Sequence, residues 1–216
     1  MSTMIYLASQ SPRRAQLLEQ LGVKFQLLVA DDAEDAESLE AVMNNEAPSK
    51  YVQRVTGLEA GCGFAANENS RFESCASALL GYDGRSGRKI YGKPESERDA
   101  VRMLGELQGR THRVLTAVAL QSGKKRLQAL SVSQVTFAPM TPQQIKAYVA
   151  SGEPMGKAGA YAIQGKAAAY ISRISGSHSG IMGLPMHETA QLLSQLKILL
   201  ILFAVTQNFL GFRVTV

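Results

Sequence analysis

The stretch Leu7-Ala8-Ser9-Gln10-Ser11-Pro12-Arg13-Arg14 constrains this chain more than any other. It follows a short apolar run, Met4 to Leu7, and precedes a helical pattern carrying Leu17, Leu18 and Leu21. A strand therefore runs into a small-residue turn, and the turn opens a helix. Pro12 suits the first helical position, because its ring fixes φ and its missing N–H would have no acceptor there. Ser11 reads as the N-cap and Gly22 as the stop after Leu21. A helix start offers free N–H donors and a partial positive charge. With Arg13 and Arg14 in the same turn, the segment reads as a phosphate site. On local physics alone the plain alternative stays open: a common Ser-Pro helix start with a solvated basic pair.

A chain of 216 residues fits one domain and can bury a real core. Its 45% hydrophobic and 19% charged residues are those of a soluble globular protein. Cys62 and Cys75 are too few for a disulfide framework, and nothing at the start reads as a secretory signal, so a cytoplasmic location is expected. His112, His178 and His187 lack metal-ligand spacing and read as structural or surface residues. The net charge of +5 comes from scattered residues, while Asp31, Asp32, Glu34, Asp35, Glu37 and Glu40 form an acidic block. No basic stripe with interleaved aromatics is present, so a small anion is a better partner than nucleic acid. The apolar run Ile198 to Val205 in the tail is too short to span a bilayer. No membrane association is expected.

Along the chain, Phe25 to Ala30 reads as a second strand, the acidic block as a loop and residues 48 to 66 as a helix with Tyr51, Val52, Val55 and Leu58 on one face. Residues 67 to 77 read as polar and turn-like, and Ala78-Leu79-Leu80 as a buried strand ending at Gly81-Tyr82-Asp83-Gly84. Ile90-Tyr91 leads into the turn Gly92-Lys93-Pro94. Ser96 to Leu107 follows as a helix, then Thr111 to Leu120 and Leu127 to Ala138 as an antiparallel pair. Thr141 and Pro142 open another helix. Gly159 to Gln164 and Ala168 to Ile174 read as strands, and Glu188 to Leu196 as a last helix. Alternating elements that give way to a β-rich middle point to an α/β fold: a mixed, twisted sheet with flanking helices.

The pattern Leu7-Ala8-Ser9-x-Ser11-Pro12-Arg13-Arg14-x-x-Leu17-Leu18-x-x-Leu21-Gly22 resembles the opening signature of the Maf-like nucleoside triphosphate pyrophosphatases. The resemblance extends through Gly92-Lys93-Pro94, Thr111-His112-x-Val114-x-Thr116-x-Val118 and Tyr148-x-x-Ser151-Gly152-Glu153-Pro154-x-x-Lys157-Ala158-Gly159-Ala160-Tyr161-Ala162-Ile163-Gln164-Gly165. It ends with Gly176-Ser177-His178-Ser179-Gly180 and Gly183-Leu184-Pro185-x-x-Glu188-Thr189. It implies a Maf/ITPase-like fold in a single domain over 1–196, followed by an atypical apolar tail over 197–216.

The pairing of Ser-Pro-Arg-Arg with Ile-Gln-Gly is similar to the dTTP/UTP branch. The implied reaction is hydrolysis of dTTP, UTP or a modified pyrimidine nucleotide to monophosphate and pyrophosphate. Such chemistry must neutralise phosphate charge and orient a water, commonly with a divalent metal. The resemblance assigns substrate binding to Ser9, Arg13, Arg14, Lys93 and Gln164. A glutamine amide both donates and accepts, which suits the imide edge of uracil or thymine. Asp83 becomes the proton acceptor, and Asp83 and Glu34 become ligands for Mg²⁺ or Mn²⁺. A homodimer and a link to cell-division arrest are implied as well. Three departures motivate an alternative, a catalytically impaired nucleotide-binding or regulatory protein. Glu59 stands where the pattern has lysine, Gly84 follows Asp83 where the pattern has threonine, and the spacing from Asp83 to Gly92-Lys93-Pro94 is shorter than in the pattern.

Overall fold

The computed structural model describes residues 5–7, 9, 11–27, 43, 46–66, 71–83, 87–122 and 124–198, with backbone alone inside 58–88. In chain order the elements are β1 (Ile5–Leu7), α1 (Pro12–Gln20), β2 (Phe25–Leu27), α2 (Pro48–Ala66), β3 (Arg71–Asp83), β4 (Gly87–Tyr91) and α3 (Glu97–Leu107). There follow β5 (Thr111–Ser122), β6 (Lys125–Phe137), α4 (Pro142–Val149), β7 (Ile171–Ser175), α5 (His178–Met182) and α6 (Met186–Gln195). One mixed sheet runs in the order β2-β1-β3-β5-β6-β7, with β4 beside β3. The β1–β2 and β1–β3 pairs are parallel, and the other pairs are antiparallel.

Strand β5 shows how the sheet divides the core. Successive side chains alternate faces. Leu115 and Ala117 meet Val52 and Val55 of α2, whereas Val118 and Leu120 meet Leu17 and Leu18 of α1, Leu21 just past its end, and Leu192 and Leu193 of α6. Val114, on the same face as Val118, joins Met103, Leu104 and Leu107 of α3 and Ile145 and Val149 of α4. The helices therefore sandwich the sheet. Each fully buried leucine contributes about 2 kcal/mol of apolar transfer. Local signals start the helices where expected. Ser96 Oγ accepts from Asp99 N at 3.2 Å, and Thr141 and Gln144 form a capping box with bonds of 3.2 and 2.8 Å.

Three expectations need correction. Residues 67 to 77, read as turn-like, include the first half of β3, which pairs with β5 from Arg71 to Leu80. A continuous backbone ladder overrides the weak strand propensity of Glu73-Ser74-Cys75-Ala76-Ser77. Gly159 to Gln164 is not a strand. A 3₁₀ turn spans Ala158–Ala160, and Gly159 (φ 70) and Ala160 (φ 60) sit in the left-handed region, which no strand accommodates. Ala168 to Ile174 begins as a second 3₁₀ turn, Lys166–Tyr170, and only then becomes β7. The acidic block, with Glu34, lies outside the described residues. So does the tail beyond Ile198, although Ile198 itself is buried beside Leu193.

Candidate functional site

The sheet leaves a gap at one edge of β3. β5 occupies one edge of β3 from Arg71 to Leu80, so β1 and β4 must both lie along the other. β1 ends where Leu7 pairs with Glu73, and β4 ends where Tyr91 pairs with Leu79. Among the described residues no strand pairs with that edge between Glu73 and Leu79. At 3.3 Å per residue the opening is about 20 Å long. Because β1 runs parallel to β3 and β4 antiparallel to it, both chains leave the sheet at this gap, from opposite ends. One enters the Ser9–Arg14 turn and the other the Gly92-Lys93-Pro94 turn. In α/β sheets, places where chains diverge at strand ends are where ligands bind.

The first turn is built on Ser9. Its Oγ accepts from Ser11 N at 3.2 Å and from Arg14 Nη1 at 3.0 Å. Ser11 occupies the N-cap position, but its side chain makes no capping bond, so Ser9 does the organising expected of Ser11. Arg14 Nε donates to the carbonyl of Gly183 at 3.1 Å, which fastens the turn to the Gly183-Leu184-Pro185 segment. Arg13 is half-buried and takes part in no ion pair among the described residues. Burial, and then the like charge of Arg14, push its pKa down. A partly desolvated guanidinium beside a second one favours an incoming anion.

The second turn is held from two sides. Gly159 N donates to Gly92 O at 3.0 Å, and Pro94 is buried while Lys93 is exposed. Upstream, Glu106 of α3 accepts from Tyr91 Oη at 2.7 Å and from Lys89 Nζ at 2.6 Å. Burial raises the Glu106 pKa, but the bonds from Lys89, Tyr91 and Arg102 outweigh it and hold it at about 2. The turn bearing Lys93 thus hangs from a helix and from the 158–160 segment together.

That segment leads directly to Gln164. Tyr161 is buried against His112 and Phe137, with ring centroids 5.5 and 5.1 Å away, and its hydroxyl meets His112 Nε2 at 2.9 Å. Burial lowers the His112 pKa to about 4, so the ring is neutral near pH 7 and acts as a packing residue. Gln164 is exposed in the tight turn that Gly165 N closes onto Ala162 O at 3.0 Å.

Of the two expected carboxylates, Asp83 has a described backbone position, and Glu34 lies outside the described residues. Asp83 pairs with Gly87 at the far end of the β3–β4 hairpin, beyond the Leu79 end of the gap. On the backbone register the gap-edge carboxylate position is Glu73, opposite Leu7. Among the described residues no three His, Cys, Asp or Glu side chains cluster to hold a metal ion. Sequence reasoning passed over Gly183 as a partner of Arg14, and over Glu153 and Tyr148, whose motif was legible without a role. The left-handed Ala160 carries no sequence signal at all.

The family model described as Maf-like protein matches residues 4–196. The chain belongs to the Maf-like family. Among Maf-like relatives, the dTTP/UTP pyrophosphatase of Polaromonas sp. is 60% identical over 192 residues, covering 88% of this chain and 94% of the relative. That of Albidiferax ferrireducens is 58% identical over 193 residues, covering 89% and 96%. That of Cupriavidus metallidurans is 53% identical over 197 residues, covering 90% and 98%. A solved structure of the Staphylococcus aureus Ham1 protein superposes with a TM-score of 0.42 at 11% identity, covering 63% of this chain and 72% of that one. Among the described residues of this Maf-like chain, no helix is long and apolar enough to cross a membrane.

Proposed function

We propose that this chain is a nucleoside triphosphate pyrophosphatase acting on dTTP and UTP. Water attacks the triphosphate, the bond between the α and β phosphates breaks, and nucleoside monophosphate and pyrophosphate leave. The observation that carries the reading is the gap on β3 with the Arg13 turn at one end and the Lys93 turn at the other. The name shared by relatives up to 60% identical supports the choice of substrate.

In this reading Arg13 and Lys93 neutralise the phosphates, and Ser9 and Arg14 shape the cradle. Charge placed in advance where negative charge accumulates lowers the barrier without reorganisation at the moment of reaction. Gln164 reads the imide edge of the base through its donor and acceptor. The family resemblance makes Asp83 the proton acceptor, and the strand register makes Glu73 the rival. The resemblance also implies Mg²⁺ or Mn²⁺, with Asp83 and Glu34 as oxygen donors of the kind such hard ions prefer. A bound ion would offset phosphate charge. A homodimer, a cytoplasmic place of action, a single working unit over 1–196 and no role for nucleic acid complete the proposal.

The test is pyrophosphate release from dTTP and UTP by the purified protein with Mg²⁺ or Mn²⁺, repeated with Asp83→Asn and Glu73→Gln. Loss of turnover in Asp83→Asn alone assigns the base to Asp83, and loss in Glu73→Gln alone moves it to Glu73. The impaired-binder alternative, which rests on Glu59, Gly84 and the short spacing at Asp83, finds no support in the relatives' names.

A further inference from the structure

We infer that Glu153 is a positioning residue for base recognition: its carboxylate fixes the turn that carries Gln164, and so sets how well the site tells a thymine or uracil from a cytosine. The inference rests on the reading of Gln164 as the group that meets the base.

The turn is held on both flanks by one small network. After Gln164, Lys166 N donates to Glu153 Oε2 at 3.0 Å and Ala167 N to Oε1 at 3.4 Å. Before Gln164, Ala162 N donates to Tyr148 Oη at 3.3 Å. Tyr148 Oη in turn donates to Glu153 Oε1 at 2.8 Å. The hydroxyl therefore relays the carboxylate to the near side of the turn. Gly165 lies flat against Glu153, and a methyl group built there would collide with the carboxylate. Tyr148 is 4% exposed and anchored in the core beside Ile145 and Val149, so the network is referenced to the rigid body of the fold. Burial works against ionisation of Glu153, but the bonds from Lys166 N, Tyr148 and Ala167 N prevail and lower its pKa. Such charge-assisted bonds are stronger than neutral ones.

Exposed Gln164 lies between these anchors, with the backbone held on both of its flanks. An amide must present donor and acceptor in the right order to separate an imide edge from the amino edge of cytosine. A tilt of the turn by an ångström weakens that discrimination without touching the reacting phosphates. Glu153→Gln keeps the shape but turns one acceptor oxygen into a donor facing backbone N–H groups or the tyrosine hydroxyl.

The experiment compares wild type, Glu153→Gln, Tyr148→Phe, Gln164→Ala and the double variant Glu153→Gln/Gln164→Ala. It reads KM and kcat for dTTP and the ratio of kcat/KM for dTTP over dCTP. The inference expects Glu153→Gln to raise KM for dTTP about tenfold, the loss of roughly one good hydrogen bond. It also expects kcat to change less than KM, a smaller dTTP:dCTP ratio, and no further loss of that ratio in the double variant. Tyr148→Phe changes the same quantities in the same direction and keeps the question open to test if Glu153→Gln does not fold. Should Gln164→Ala leave the ratio intact, the base-reading role fails and the inference with it. Should Gln164→Ala lower the ratio while Glu153→Gln and Tyr148→Phe lower only thermal stability, Glu153 is a loop staple and the inference alone is overturned.

Discussion

Arg14 and Gly183 are joined across the molecule: Arg14 Nε donates to the Gly183 carbonyl at 3.1 Å while Arg14 Nη1 holds Ser9 Oγ at 3.0 Å. The neighbouring Arg13 is half-buried beside it without an ion pair among the described residues. Adjacent arginines in one turn thus do different work. Arg14→Ala removes two bonds and costs about 2 kcal/mol of stability. Arg13→Ala leaves stability near wild type, because a guanidinium crowded by burial and like charge is removed, and lowers kcat/KM for dTTP about 100-fold. Denaturant titration and steady-state kinetics on the two variants check the split.

His112 makes stability depend on pH. Burial brings its pKa from the ordinary 6.5 to about 4 in the folded chain, so between those values the unfolded chain binds a proton that the folded chain refuses. Stability therefore falls as pH drops through that window, and the full loss, about 3 kcal/mol, is reached below pH 4. Other titrating groups add their own slopes, so the comparison is differential. His112→Gln, which can still meet the Tyr161 hydroxyl, flattens the curve between pH 6.5 and 4 relative to wild type.

Lys197 ends α6 in a left-handed conformation, φ 57. Ile198 N reaches back to Leu193 O at 3.0 Å and Lys197 N to Ser194 O at 2.9 Å, a helix stop that glycine ordinarily fills. Lys197→Gly relieves the side-chain clash and raises stability by about 0.5 kcal/mol net of the added backbone entropy. Thermal melts of the two proteins measure it.

The parts of the fold set by local chemistry were legible in the sequence. Pro12, Gly22, the Thr141–Gln144 capping box and the leucine spacing of α1 and α3 each act within a turn or two, so reading them needs no tertiary knowledge. β3 was missed over Arg71–Ser77 because its partner, β5, lies far along the chain, and pairing with it rather than propensity makes the strand. The 158–160 turn was missed because Ala160 gives no warning of a positive φ. At the site, the Arg13 and Lys93 turns are recognisable as motifs, but their placement at the two ends of one gap depends on β1 and β4 sharing one edge of β3. The place of Asp83 depends on hairpin register, which no spacing rule fixes. Glu153 stood inside a recognised motif, yet its role emerges only from the bonds that reach Lys166, Ala167 and Tyr148.

Pyrophosphate release from dTTP and UTP, measured with the intact chain and Mg²⁺ or Mn²⁺, bears most directly on the proposed activity. The account predicts one pyrophosphate and one nucleoside monophosphate for each triphosphate consumed, with dTTP and UTP preferred over dCTP. Saturable nucleotide binding with no monophosphate or pyrophosphate formed would contradict it.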